Sequence, residues 1–93
     1  QGPYLCYAYA VTGDTSRAKK ALRKSLKENP NQSPYLLARA YISLRNYGEA
    51  LSLLEQAYDL RELRMYFLGV DPTLDPIRND PRFKALMKKM RLG

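Results

Sequence analysis

The chain contains no histidine, one cysteine and only five glycines among its 93 residues. Without histidine it lacks the side chain whose ordinary pKa suits a general base near neutral pH. A lone cysteine rules out an intrachain disulfide and leaves the redox compartment open. With histidine absent, it also removes the nitrogen and sulfur set that zinc prefers. The glycines, at 2, 13, 48, 69 and 93, are scattered and form no phosphate-cradling loop. No apolar run approaches the roughly 20 residues that cross a bilayer, and no charged segment followed by an apolar one opens the chain. These absences argue against an enzyme, a cofactor, a metal, a small-molecule substrate or a membrane, and favour a cytoplasmic protein.

What is present suits a folded domain. Hydrophobic residues make up 45% and charged residues 27%, too apolar for a disordered tail and enough for one small core. The opening Gln-Gly-Pro, without a methionine, reads as the start of a piece of a longer protein, with Gln1 and Gly2 as cloning residue.

Residues 5–28 and 37–60 superimpose with an offset of 32, which sets Leu5 on Leu37, Ala8 on Ala40, Tyr9 on Tyr41, Ala18 on Ala50 and Leu22 on Leu54. Small residues recur where two helices would touch, and large ones recur where gaps need filling, so the match is one of packing type. Each copy reads as two helices and a tight turn. In the first, Ala18, Ala21, Leu22, Ser25 and Leu26 follow i, i+3, i+4, i+7, i+8, while Arg17, Lys19, Lys20, Arg23, Lys24 and Lys27 take the other side. Gly13 can adopt a positive φ at the turn, with Asp14 or Thr15 as helix cap. In the second, Asn46 is expected to cap while Glu49 reaches back to it. Between the copies, Ser33 is read as N-cap and Pro34 as first helical residue.

A third helix-length stretch, 59–69, carries Leu60, Leu63 and Phe67 at i, i+3, i+7 and is expected to be helical. The chain then runs through Asp71-Pro72, Asp75-Pro76 and Asp80-Pro81 into a final stripe of Phe83, Leu86, Met87 and Met90. An aspartate directly before a proline at the start of a helical turn is an expected N-cap, so the three carboxylates are read as caps and not as a metal or acid-base site. Arg78 and Arg82 are expected to pair with these carboxylates or to lie in solvent.

The pattern of Leu5, Cys6, Tyr9, Gly13-Asp14, Ala18, Leu22 and Pro30, and of Leu37, Ala38, Tyr41, Ala50, Leu54 and Ala57, resembles the tetratricopeptide repeat. The tail from Val70 to Leu92 is similar to the ending of many bacterial proteins of that family, in which the repeats follow a signalling or DNA-binding module. The resemblance implies an all-α chain of stacked antiparallel helix hairpins, a right-handed α-solenoid fragment with a C-terminal capping helix. It further implies a single domain over 1–93, with repeats at 3–30 and 33–60 and a degenerate repeat plus capping helix at 61–93. In such a stack the first helix of each pair lines a concave surface, where Tyr7, Val11, Tyr35, Arg39, Ile42 and Arg64 are the candidate partner-binding residues. Tyrosine and arginine offer large contact area or a planar donor fork. Repeats that bind acidic chaperone tails use a Lys and Asn clamp, and the corresponding positions here are Pro3, Tyr7, Tyr35 and Arg39, so that ligand is not expected.

The implied function is a protein–protein interaction scaffold binding a peptide or partner protein. The alternative is a dimerising or regulatory appendage of a transcription regulator, with basic faces contacting nucleic acid or other polyanions. The net charge of +7 concentrates in residues 17–28 and 76–93, each with six basic residues and one acidic. Because those cations sit on faces away from the tyrosines, nucleic acid is not the favoured partner. Self-association through the open N-terminal edge, where Pro3, Tyr4, Leu5 and Ala8 begin a helix, is a further expectation.

Overall fold

The structure, a computed structural model, describes residues 2–91; Gln1, read above as cloning residue, and Leu92 and Gly93 at the end of the tail lie outside the described residues. Among the described residues five α-helices and two 3-10 helices follow in order: α1 (Gly2–Val11), α2 (Thr15–Glu28), α3 (Pro34–Ser43), α4 (Tyr47–Asp59), η1 (Leu63–Phe67), η2 (Pro72–Ile77) and α5 (Pro81–Lys89). No β-strand occurs among the described residues. None of their helices is long and apolar enough to cross a membrane.

Each hairpin turn is built by the same device. The N–H of Gly13 donates to Ala10 O at 3.0 Å and that of Asp14 to Tyr9 O at 2.9 Å, closing α1 with a left-handed residue between the two bonds. Arg45 and Asn46 repeat the pair onto Ile42 and Tyr41, and Arg61 and Glu62 repeat it onto Tyr58 and Ala57. Gly13 has φ 88°, whereas Arg45 and Arg61 hold φ 62° and 56° with a Cβ that disfavours the left-handed region. The turn geometry is therefore kept where the glycine is not.

Caps follow from this closure. Asp14 accepts from Arg17 N at 3.2 Å and Ser33 from Leu36 N at 3.2 Å, as the sequence suggests. Asn46 makes no side-chain cap bond. Its own N–H is already committed to Tyr41 O, so Glu49 has no free donor to reach back to, and the expected reciprocal cap does not form. At the end of α2, Gln32 donates to the carbonyls of Ser25 and Asn29 at 3.1 and 2.9 Å, while the buried Ser25 hydroxyl donates to Gln32 Oε1 at 3.2 Å.

The helices stack as two hairpins, with α3 packed against α1 on one side and η2 on the other. Leu37 and Ala40 join Cys6, Ala18 and Leu22 in one apolar cluster. Tyr35, Ala38 and Ile42, on the opposite side of α3, join Leu51, Leu54, Met65, Leu68, Leu74, Ile77, Phe83 and Leu86 in the other. Cys6 is a packing residue in the first cluster, and its burial pushes the thiol pKa up, with Ser43 partly opposing.

The third unit departs from expectation. No α-helix spans 59–69: α4 stops at Asp59, Arg61 turns left-handed, and the chain continues in 3-10 form. With three residues per turn, Met65 and Leu68 share the inward row. Leu60, Leu63 and Phe67, the stripe that α-periodicity selects, are 63, 77 and 59% exposed instead. The aspartates divide. Asp71 and Asp80 cap, accepting from Thr73 N at 3.0 Å and Arg82 N at 2.8 Å, while Asp75 lies inside η2 and accepts from Arg78 Nε at 2.6 Å. Arg82 pairs with neither Asp75 nor Asp71 but reaches back to Glu55 of α4 with two bonds at 2.6 and 3.0 Å, and this guanidinium pulls the Glu55 pKa down. That fork fastens α5 to α4.

Because Arg45 carries left-handed strain that glycine would not, Arg45→Gly is expected to raise stability by about 0.5–1 kcal/mol, after the entropic penalty of the glycine. A urea midpoint shifted downward would contradict this account of the turn.

Candidate partner-binding groove

Two carboxylates hold the N-terminal half of α3 from the far side. Glu62 accepts from the Ser33 hydroxyl and, at 3.2 Å, from Tyr35 N, so a residue beyond the end of α4 completes the cap of α3. Asp71 accepts from the Tyr35 hydroxyl at 2.7 Å, and its other oxygen takes the N–H and hydroxyl of Thr73 at 3.0 and 2.7 Å. The backbone around it is held by Arg78, whose Nη1 and Nη2 donate to Leu68 O at 3.2 Å and Asp71 O at 2.6 Å. The guanidinium also lies over the Phe83 ring at 5.7 Å.

Of the six candidate residues, this framework removes two from the surface. Tyr35 is 2% exposed and Ile42 5%, both inside the cluster that joins α3 to the tail. Their helix faces the third unit at those positions, so the expectation that they line the groove is corrected. Arg64 is exposed beside Glu62, with Nη1 3.4 Å from its carboxylate. Val11 is 62% exposed at the end of α1.

Tyr7 and Arg39 do come together. They line a cavity of about 10 Å³ with Pro3, Tyr4 and Leu36 between α1 and α3, room for one water at most. The Arg39 guanidinium lies 5.8 Å from the centre of the Tyr4 ring. Its Nε stands 3.8 Å from Asp71 Oδ2, close enough for ionic attraction but too long for a hydrogen bond. That Nε is buried and has no hydrogen-bond partner. Tyr4, Leu36 and Asp71 were not among the candidates. Tyr4 lies one turn before Tyr7 and Leu36 one turn before Arg39, so i, i+3 spacing names both. Nothing local marks Asp71 as the acceptor for a tyrosine 36 residues earlier.

Among the described residues no group of three or more His, Cys, Asp or Glu side chains is placed to hold a metal ion. The three tail aspartates serve backbone and side-chain donors already described.

A family model described as "Anaphase-promoting complex, cyclosome, subunit 3" matches residues 3–57, more than half of the chain. The chain belongs to this family. The anaphase-promoting complex subunit 3 family is of the tetratricopeptide type, and the all-helical repeat seen here is the fold that goes with it. Repeats of this type are protein–protein interaction scaffolds and typically not enzymes. The matched stretch runs from α1 to the last turn of α4 and ends before η1. No curated protein and no solved structure matches the chain.

Two predictions follow from the carboxylates. Glu62→Ala removes two acceptors from the start of α3 and is expected to cost about 1–2 kcal/mol, read as a lower urea midpoint. The second concerns pH. Burial raises the Asp71 pKa, but the hydrogen bonds from the Thr73 side chain, Tyr35 and the Thr73 backbone, with the charge of Arg39, outweigh it and hold the carboxyl below its usual range. Burial and then the bond to Asp71 and its charge lift Tyr35 above the usual phenol range, against Arg39 and Arg78. A depressed acid stabilises the fold above its unfolded value and loses that contribution as pH falls through the folded one; a raised phenol contributes below its unfolded value and loses it as pH rises. The pair should therefore act fully between about pH 4 and about pH 10. Urea midpoints across pH should show a shallower acid limb for Asp71→Asn and a shallower alkaline limb for Tyr35→Phe. Unchanged limbs would refute the coupling.

Proposed function

We propose that the chain is a scaffold module that holds an extended or helical segment of a partner protein along the concave side of α1 and α3, with Tyr4, Tyr7 and Arg39 as its central contacts and Val11 and Arg64 toward the ends. The observation that carries this reading is the half-buried Arg39 guanidinium, whose Nε lacks a hydrogen-bond partner while the group lies 5.8 Å from the centre of the Tyr4 ring and lines a cavity with Tyr7. An arginine held against an aromatic face has lost rotamer freedom before a partner arrives, which lowers the cost of recognition. Asp71 balances its charge from the buried Nε side, so a backbone carbonyl or a carboxylate of the partner would be taken by the terminal N–H groups of the partly exposed side chain.

The family description supports assembly into a larger machine as the context for such a module, and the similarity of the tail to bacterial repeat proteins supports a place beside a signalling or regulatory domain. The three units are taken as 3–30, 33–60 and 61–93. Regulation through contact with nucleic acid is less well supported, because the basic residues of α2 and α5 lie on different helices and the Tyr9 ring is covered by Arg17 at 5.9 Å.

A peptide-display selection on the folded chain tests the proposal. Selected peptides should lose affinity by about tenfold or more on Arg39→Ala and less on Val11→Ala, the pattern of a central anchor and a rim contact. Equal affinity for wild type and Arg39→Ala would remove the concave groove as the binding surface.

A further inference from the structure

We propose that the outer side of η1 is the contact surface of a homodimer, in which a second copy of this chain meets the first about a two-fold axis. Three residues make one turn of 3-10 helix, so η1 and the turn after it present three rows. Met65 and Leu68 form the row that enters the core. Leu63 with Tyr66 and Phe67 with Val70 form the two outward rows, and Leu60 extends the first of them. These five side chains are between 59 and 77% exposed. Single exposed apolar residues are ordinary, whereas five large ones between Leu60 and Val70 leave on the order of 500 Å² of apolar surface in water, the upper end of what a monomer shows.

Shape and charge favour a second copy as the occupant. Against the first row lies a hollow of about 490 Å³ whose apolar walls are Tyr58, Leu63, Met65, Tyr66 and Met90. Phe67 and Val70, on the neighbouring row, lie outside that wall. The patch therefore offers both a recess and an exposed aromatic ring, a combination that a two-fold axis uses twice. Residues 59–70 carry Asp59, Arg61, Glu62 and Arg64, a net charge of zero, so the whole +7 of the chain lies elsewhere. Arg64 is already paired with Glu62 at 3.4 Å, and covering it strands no lone charge. Asp59 and Arg61, of opposite sign at the border of the hollow, can each face the other's counterpart in the second copy, as an isologous contact requires. Two such apolar patches together reach the total of about 1,000 Å² that a specific interface needs, before any polar rim is added.

The same features disfavour other occupants. Nucleic acid or an acidic membrane surface calls for excess cations, and those sit on α2 and α5 rather than between 59 and 70. A strongly charged peptide of either sign would find no net charge to match. The N-terminal edge is a poorer place for self-association, because Leu5 lies there beside Arg17, Lys20 and Lys24, and two copies would set like charges together. The expectation of self-association is therefore moved to η1. This face belongs to neither helix hairpin: η1 lies between α4 and η2, and the left-handed Arg61 before it and the Asp71 cap after it fix which rows turn outward.

Sedimentation equilibrium of the intact chain over a concentration series provides the test. The mass should pass from one chain to two and no further, and added salt should strengthen the association by screening the repulsion between two basic molecules. Leu63→Asp and Phe67→Asp should each weaken it about tenfold or more, while Leu5→Asp leaves it unchanged. Both substituted side chains of η1 are exposed, so these variants should fold, and circular dichroism melts verify it. Arg39→Ala also leaves the dimer intact, which tells loss of the concave site from loss of this one. Hydroxyl-radical labelling of Tyr66 should fall as the dimer forms, with Tyr47 of α4 as the unchanged reference. The proposal is overturned by a single-chain mass throughout, by growth beyond two chains, or by a dimer that salt dissolves. It is equally overturned if Leu5→Asp disrupts the dimer and Leu63→Asp does not, or if the chain stays single yet binds phosphatidylserine vesicles through Leu63 and Phe67.

Discussion

Burying the side chain of Tyr35 at the start of α3 requires an acceptor for its hydroxyl, and the fold supplies Asp71. A phenol buried without a partner would cost on the order of 1–3 kcal/mol, enough to open the seam between the second hairpin and the tail. Supplying that acceptor obliges the tail to pass close to α3 at residue 71, and the irregular path from Arg61 to Asp80 is what reaches it. Such a path gives up a continuous α-helical hydrogen-bond ladder for two short 3-10 helices and the bends between them. Arg78 makes up part of the loss by donating to the carbonyls of Leu68 and Asp71, ten and seven residues before it. Side chains thus take a share in ordering the tail, and Arg39, attracted by the same Asp71, is held beside Tyr4 and Tyr7.

Closure of the far end follows from the same arrangement. Once η1 and η2 lie against α4 and α3, a short amphipathic helix suffices to finish the stack: Phe83 and Leu86 enter the core, and lysines cover the outer side. The Arg82 to Glu55 fork fixes its direction. The 3-10 path turns Leu60, Leu63, Tyr66, Phe67 and Val70 outward as the counterpart of burying Met65 and Leu68.

The helix hairpins were legible because their information is periodic and local. Ala18, Leu22, Ala50 and Leu54 repeat at a fixed offset and are all buried, and Asp14 and Ser33 cap the helices that they precede. The third unit was not, since α-periodicity and 3-10 periodicity select different residues from the same string, and Leu60, Leu63 and Phe67 satisfied the wrong one. The candidate site was legible only in part. Tyr7 and Arg39 share a cavity, but Tyr35 and Ile42 sit on the side of α3 that the tail covers, and that cover depends on contacts spanning about 30 residues, of the kind made by Glu62 and Asp71. Long-range acceptors leave no mark in a local pattern.

The composition of α1 sets it apart from α2. From Gly2 to Val11 it contains no charged residue, so it has no polar side to turn to water. A helix apolar all round is ordinarily enclosed on every side. Here Cys6 is enclosed by α2 and α3, while Tyr4 and Tyr7 line the small cavity shared with Arg39, and Leu5 and Tyr9 lie beside Arg17, Lys20 and Lys24 of α2. By contrast α2, with its strong division into apolar and basic faces, is built for solvent on one side. Two neighbouring helices of one hairpin thus obey different rules: α2 leaves a basic face in water, whereas Tyr4 and Leu5 of α1 are exposed with no charged residue on their own helix beside them.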